Sequence, residues 1–111
     1  MKTTILRIYM PISARAKGKL SIWQKLFTGT LANFLAKKAK EQGIEQVVLQ
    51  RIQAGYMNSQ KLAFEGSEVS PPNLPLCVEM IDTETKLKKF ITDNKEQLSG
   101  CRCVLFTGIV L

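Results

Sequence analysis

From Leu74 to Asp82 the chain reads Leu-Pro-Leu-Cys-Val-Glu-Met-Ile-Asp, with Leu76, Val78 and Met80 alternating against Cys77, Glu79 and Ile81. A period of two belongs to a strand whose successive side chains point to opposite sides of a sheet. A second run, Gln46 to Tyr56, is rich in Val, Leu and Ile with a Gly and an aromatic at its end, which favours strand over helix. The polar stretch between them, Met57 to Asn73, is too long for a tight hairpin turn. Compact domains seldom keep such loops unless they are functional or disordered, so a local function is expected to involve this one.

The rest of the chain supplies matching elements. Thr3 to Ile12 alternates Leu6, Ile8 and Met10 with Ile5, Arg7 and Tyr9, a strand apolar on both sides that Pro11 brings to its end. Ser13 to Lys19 is a basic connection without apolar pattern. Ser21 can cap a helix in which Ile22, Leu26, Phe27, Leu31, Phe34, Leu35 and Ala39 share one face, and Gly43 supplies the left-handed stop. Thr28-Gly29-Thr30 interrupts this pattern; the favoured reading is one long helix with a local irregularity, the alternative a break and a second helix from Thr30. Asp82 or Thr83 caps a further helix with Leu87, Phe90, Ile91, Asn94 and Leu98 on its inner face, ended by Ser99-Gly100. Cys101 to Leu111 closes the chain as a strand with Cys103, Leu105 and Ile109 on one face and Val104, Phe106 and Val110 on the other.

The order strand, helix, strand, strand, helix, strand predicts an α+β ferredoxin-like sandwich, βαββαβ, with a four-stranded antiparallel sheet and two helices on one face. One domain spanning residues 1–111 is expected from the length. The other sheet face would carry Ile, Leu, Val, Phe and Cys beside Arg7, a larger apolar patch than monomers usually show, so oligomerisation through the sheet is expected.

Composition narrows the function. Hydrophobic residues at 45% and charged residues at 23% suit a globular domain. No run approaches the length of a membrane span and Arg7 interrupts the first apolar run, so the expectation is a cytoplasmic protein that is not integral to a membrane. Cys77, Cys101 and Cys103 are odd in number and sit in apolar runs, which predicts buried thiols in a reducing compartment. The net charge of +7 is uneven: residues 1–40 hold nine basic and no acidic side chains, residues 41–111 seven basic and nine acidic. Such a field attracts anions, although lysines on a helix also serve as a solvated face. The chain has no histidine, which removes Ser-His and Cys-His activation and most zinc arrangements. No Walker or dinucleotide glycine pattern is present, Asp82 reads as a helix cap, and Cys101 with Cys103 make a poor metal pair. The expectation is therefore a non-enzymatic protein with no catalytic residues and no metal site.

Four short motifs occur in order: Leu6-Arg7-Ile8-Tyr9; Lys38-Ala39-Lys40-Glu41-Gln42-Gly43; Arg51-Ile52-Gln53-Ala54-Gly55-Tyr56-Met57; and Leu74-Pro75 followed by Val78-Glu79-Met80-Ile81-Asp82. In this combination the chain resembles the PII-like family of small proteins labelled as a domain of unknown function, relatives of the PII nitrogen-regulatory signalling proteins. It departs from the family's pattern in a longer first helical stretch and in Ile52 and Met57, which stand where the family has glycines. The resemblance implies a ferredoxin-like homotrimer with three clefts between subunits, each bordered by the base of the long loop. It also implies an adenine nucleotide as the ligand, no obligatory cofactor, and a transporter or enzyme as target of the 57–70 loop.

Arg51, Gly55, Tyr56 and Lys61 are the expected ligand-binding residues. Arg51 is either a strand-end charge paired with Glu79 or Glu45, or a guanidinium that clamps phosphate or carboxylate. Tyr56 and Phe64 suit stacking on a base or filling a partner's groove, and Tyr56 equally suits the sheet edge. Lys61 offers a second anion contact, and Trp23 reads as core or subunit contact. Three function classes follow: a regulatory signalling module that binds a small anion and presents its loop, a basic nucleic-acid-binding domain, and an acylphosphatase-like enzyme. The first is favoured. Nucleic acid is the weaker partner, and the enzyme lacks a glycine-rich phosphate cradle after the first strand, where Arg15 and Lys17-Gly18-Lys19 stand instead.

Overall fold

The computed structural model describes residues 1–18, 29–65 and 72–111. Its elements are β1 (Lys2–Pro11), α1 (Leu31–Glu41), β2 (Gln46–Arg51), β3 (Ala54–Gly55), β4 (Ala63–Phe64), β5 (Pro75–Asp82), α2 (Glu84–Asp93), α3 (Lys95–Leu98) and β6 (Arg102–Ile109). Four strands form an antiparallel sheet in the order β2-β5-β1-β6, while β3 and β4 make a separate two-stranded ribbon. This is the ferredoxin-like sandwich that the order of patterns predicts.

Register sorts the strand residues by face. Leu6 lies opposite Met80 and Leu105, and Ile8 opposite Val78 and Cys103. These positions face the helices, where Leu6, Ile8, Met10, Leu76, Val78 and Met80 join Leu31, Phe34, Leu35, Ala39, Leu87, Phe90 and Leu98 in one buried cluster. Arg7 lies opposite Glu79 and Val104, and Ile5 opposite Ile81 and Phe106, all on the face away from the helices. Ile5 is nonetheless buried, because its side chain leans over Gly108; a Cβ there would come within 2.5 Å of Ile5 Cδ1.

Gly29 and Thr30 lie outside any helix, and the expectation of one long helix is corrected. Thr30 is in extended backbone and its hydroxyl accepts from the Asn33 N–H, so α1 starts afresh with its own cap. Ser21, Ile22, Trp23, Leu26 and Phe27 lie outside the described residues. The predicted stop is present: Gly43 has φ +75°, its N–H reaches Lys40 O, and the Ile44 N–H reaches Ala39 O. That paired arrangement satisfies the last carbonyls of the helix and turns the chain into β2.

The second helix is also divided. Thr83 caps α2 by accepting from the Lys86 N–H, and the helix breaks at Asn94, whose buried amide donates to Phe90 O and to Gln42 Oε1. Gln42 in turn donates to Asp93, so the ends of α1 and α2 are tied to each other. Asp82 ties the same layer to the sheet: its carboxylate accepts from the backbone of Thr83 and Glu45 and pairs with Lys86, which also donates to Gly43 O. Burial alone would raise the Asp82 pKa, but the Thr83, Lys86 and Glu45 donors together hold it below the usual carboxylate range. Among the described residues no helix is long and apolar enough to cross a membrane.

Candidate functional site

The loop after β2 is not irregular from its start. Ile52 and Gln53 carry the chain off the sheet edge, and Ala54–Gly55 then pairs with Ala63–Phe64. The reversal between them contains a turn closed by the Gln60 N–H to Met57 O, with Asn58 at φ +55°, a left-handed position that Asn tolerates better than most residues. The ribbon has two unlike sides. Ala63 is buried, and a Cβ on Gly55 would touch Ile52 and Pro75 at ordinary distances, so the small pair packs inward. Tyr56 (63% exposed), Leu62 (55%) and Phe64 (61%) are left in the open. The stretch Gly66-Ser67-Glu68 at the middle of the loop lies outside the described residues.

The four expected ligand residues occupy this ribbon and its root. Arg51 closes β2, and its guanidinium pairs with Glu65 at 3.2 Å rather than with Glu79 or Glu45. Glu79 is engaged elsewhere: directly across the sheet, Arg7 Nε donates to its carboxylate at 2.8 Å, and the Arg7 guanidinium also lies 4.9 Å from the centre of the Phe106 ring. The Glu79 hydrogen bond raises the Arg7 pKa further, so this charge is permanent. The Glu45 contribution is its backbone N–H, given to Asp82. The Lys61 side chain is exposed, and its carbonyl accepts from Asn73 across the loop.

Tyr56 meets residues to which no sequence pattern connects it. Together with Met57 and Asn58 it lines an open cleft of about 230 Å³ whose other wall is Tyr9 and Arg102. Tyr9 and Arg102 are register partners on β1 and β6, so their side of the cleft is fixed by the main sheet and the Tyr56 side by the ribbon. Two phenol rings and a guanidinium around one hollow suit a flat, anionic guest. Tyr9 is visible in the Leu6-Arg7-Ile8-Tyr9 motif as a residue on the face away from the helices. Nothing in the sequence joins Arg102 to it, because their contact depends on the β1–β6 register. Arg51 and Lys61 do not line this cleft.

The cysteines separate by position. Cys77 is buried in β5, and burial raises its pKa. Cys101 is partly buried against the core, with the same effect. Cys103 corrects the expectation of three buried thiols, because β6 is an edge strand and the residue is exposed. Its sulfur still faces the helix side opposite Ile8, and that partial burial pushes the thiol up to about 11. Among the described residues no group of His, Cys, Asp and Glu could hold a metal ion.

With this geometry in hand, comparison with known proteins is specific about kinship. The sequence model of the family DUF190, described as "Uncharacterized ACR", matches residues 3–107. The chain belongs to that family. A relative by sequence is the UPF0166 protein of Aquifex aeolicus (strain VF5), 28% identical over 100 residues, covering 90% of this chain and 86% of the relative. Solved structures with the same fold include a candidate PII-like signalling protein of Thermus thermophilus, with TM-score 0.57 and 9% identity over 99% of this chain and 89% of that one. Another is the CPII protein of Thiomonas intermedia bound to ADP and bicarbonate, with TM-score 0.56 and 11% identity over 97% and 85% of the two chains. This DUF190 chain therefore has the PII-like form of the ferredoxin-like sandwich, as its motifs imply.

Proposed function

We propose that this DUF190 protein is a non-catalytic regulatory module of the PII-like kind, which binds an adenine nucleotide or a similar small anion at the base of its loop and signals through that loop to a partner protein. The observation that carries the reading is the convergence of Tyr9, Tyr56 and Arg102 on one cleft, with one wall on the rigid sheet and the other on the ribbon. In this reading an aromatic ring takes the base and Arg102 meets phosphate. Occupancy would then change how the ribbon is held against the sheet, which is what a signalling loop requires. CPII, with the same fold, is described as a nitrogen regulatory PII-like protein and has been seen with ADP, AMP and bicarbonate.

The open sheet face supports a homotrimer, in which each cleft borders a neighbouring subunit. The 57–70 loop, with Leu62 and Phe64 exposed and Tyr56 exposed just before it, is the surface offered to a transporter or enzyme, and the protein works in the cytoplasm. The absence of histidine from the sequence supports a binding role over catalysis. Thermal denaturation with ADP, AMP and bicarbonate tests this reading, since a ligand of the folded state alone raises its melting temperature. ADP should stabilise the wild type and lose most of its effect in Arg102→Ala and Tyr56→Ala. Equal stabilisation of all three proteins would refute the cleft, and hydrolysis of acetyl phosphate would refute the non-catalytic role.

A further inference from the structure

The root of the ribbon carries a charged contact separate from the cleft. Arg51 belongs to β2 of the main sheet, and Glu65 follows β4 at the end of the ribbon. Their ion pair, 3.2 Å between Arg51 Nη2 and Glu65 Oε2, therefore ties one sheet to the other. Backbone bonding reinforces it, since the Glu65 N–H donates to Gln53 O at 2.6 Å, just beyond the Ala54–Phe64 pair. Both side chains are open to water, Arg51 at 62% and Glu65 at 40%. An exposed pair of this kind is weak and exchangeable, and a phosphate or carboxylate that reaches the same guanidinium competes with it on equal chemical terms.

We infer that Glu65 is a resident, displaceable anion for Arg51, so that a phosphate-bearing ligand at the loop base releases the ribbon by taking the place of the Glu65 carboxylate. This rests on the reading of the loop base as an anion site and adds the means by which binding reaches the loop. The device works through substitution of one anion for another at a fixed cation. Before substitution, the pair holds the last residue of the ribbon to the main sheet. After it, the contacts that hold Tyr56, Leu62 and Phe64 in place among the described residues are the short β3–β4 pairing, the buried Ala63, the Glu65 N–H to Gln53 O and the Asn73 amide to Lys61 O. The released element is thus the one with exposed aromatic side chains, and the charge that restrains it is the charge the ligand displaces.

Hydrogen exchange at the Glu65 amide reads the contact directly, because that N–H is bonded to Gln53 O only while the ribbon is closed. Arg51→Gln and Glu65→Gln should each speed this exchange by about two- to five-fold, the range of an exposed ion pair, and the double variant should add little to either. In the wild type, inorganic pyrophosphate should produce the same acceleration, which sodium chloride at matched ionic strength does not, and neither variant should respond to pyrophosphate further. Exchange that is unmoved by pyrophosphate, or acceleration that survives in Arg51→Gln, overturns the inference. ADP binding measured by thermal shift separates the two readings. Stabilisation by ADP with unchanged Glu65 exchange removes the displaceable pair and keeps the nucleotide module. A pyrophosphate effect without ADP stabilisation keeps the pair and removes the nucleotide.

Discussion

On the helix side of the sheet Leu6, Ile8, Met10, Val78 and Met80 are buried almost completely, whereas the residues between them on the other side, Arg7, Tyr9, Glu79 and Ile81, stay partly open. The same strands supply both sets. On the first side the interior is closed by α1 and α2 within one chain. On the second, Val48, Val104 and Phe106 remain 38–41% exposed around a central Arg7–Glu79 pair that is satisfied by direct contact and by the Phe106 ring. A charge pair in mid-sheet limits how apolar that face can be while leaving its rim to be covered. The helix side therefore accounts for the stability of the chain, and the other side is the surface that the proposed trimer would use.

The strongest way to break this division is at Phe90, which α2 inserts into the helix-side core. Phe90→Ala should cost about 3–5 kcal/mol in urea unfolding, by lost transfer energy and the cavity left behind. Asp82→Asn should cost less, about 2 kcal/mol, because charge-assisted bonds to Thr83, Glu45 and Lys86 are weakened together. The pH dependence gives its sign. The Asp82 pKa is lowered on folding, so its contribution is present above the ordinary carboxylate value of about 3.9 and is lost as pH falls through the lowered folded value. Acid titration of unfolding should show this loss in the wild type and less of it in Asp82→Asn.

The smallest effect concerns the edge where the two faces meet. Cys103 should be the first thiol labelled in the native protein, ahead of Cys101 and Cys77, because only it is exposed. With its thiol raised to about 11, labelling should be slow near neutrality and gain about ten-fold per pH unit until that value is approached. Labelling of Cys77 at the same rate would mean that the sheet opens.

Much of the fold is legible in the sequence because alternation and three-and-four spacing coexist without overlap in this chain. β1, β5 and the inner face of α2 follow directly from Leu6-Ile8-Met10, Leu76-Val78-Met80 and Leu87-Phe90. Around Gly29-Thr30 the apolar spacing points to a continuous helix, but Thr30 in extended backbone caps α1, and that local cap decides the outcome. The ribbon is hidden for a different reason: two-residue strands are too short to show a period, and Ala63 is buried while Phe64 beside it is exposed. Arg51 and Tyr56 stand out in the sequence, yet their partners Glu65, Tyr9 and Arg102 depend on register and on loop pairing, which no local pattern encodes.

The division of labour between the two faces is tested most directly by sedimentation velocity on the wild type and on Phe106→Asp at micromolar concentration. Phe106 is on the open face and outside the buried cluster, so the substitution should leave the helix-side core intact while placing a charge on the exposed rim of that face. The account predicts a wild-type trimer and a folded, monomeric Phe106→Asp with unchanged far-ultraviolet circular dichroism. A wild-type chain that sediments as a stable monomer, or a Phe106→Asp trimer indistinguishable from wild type, would contradict it.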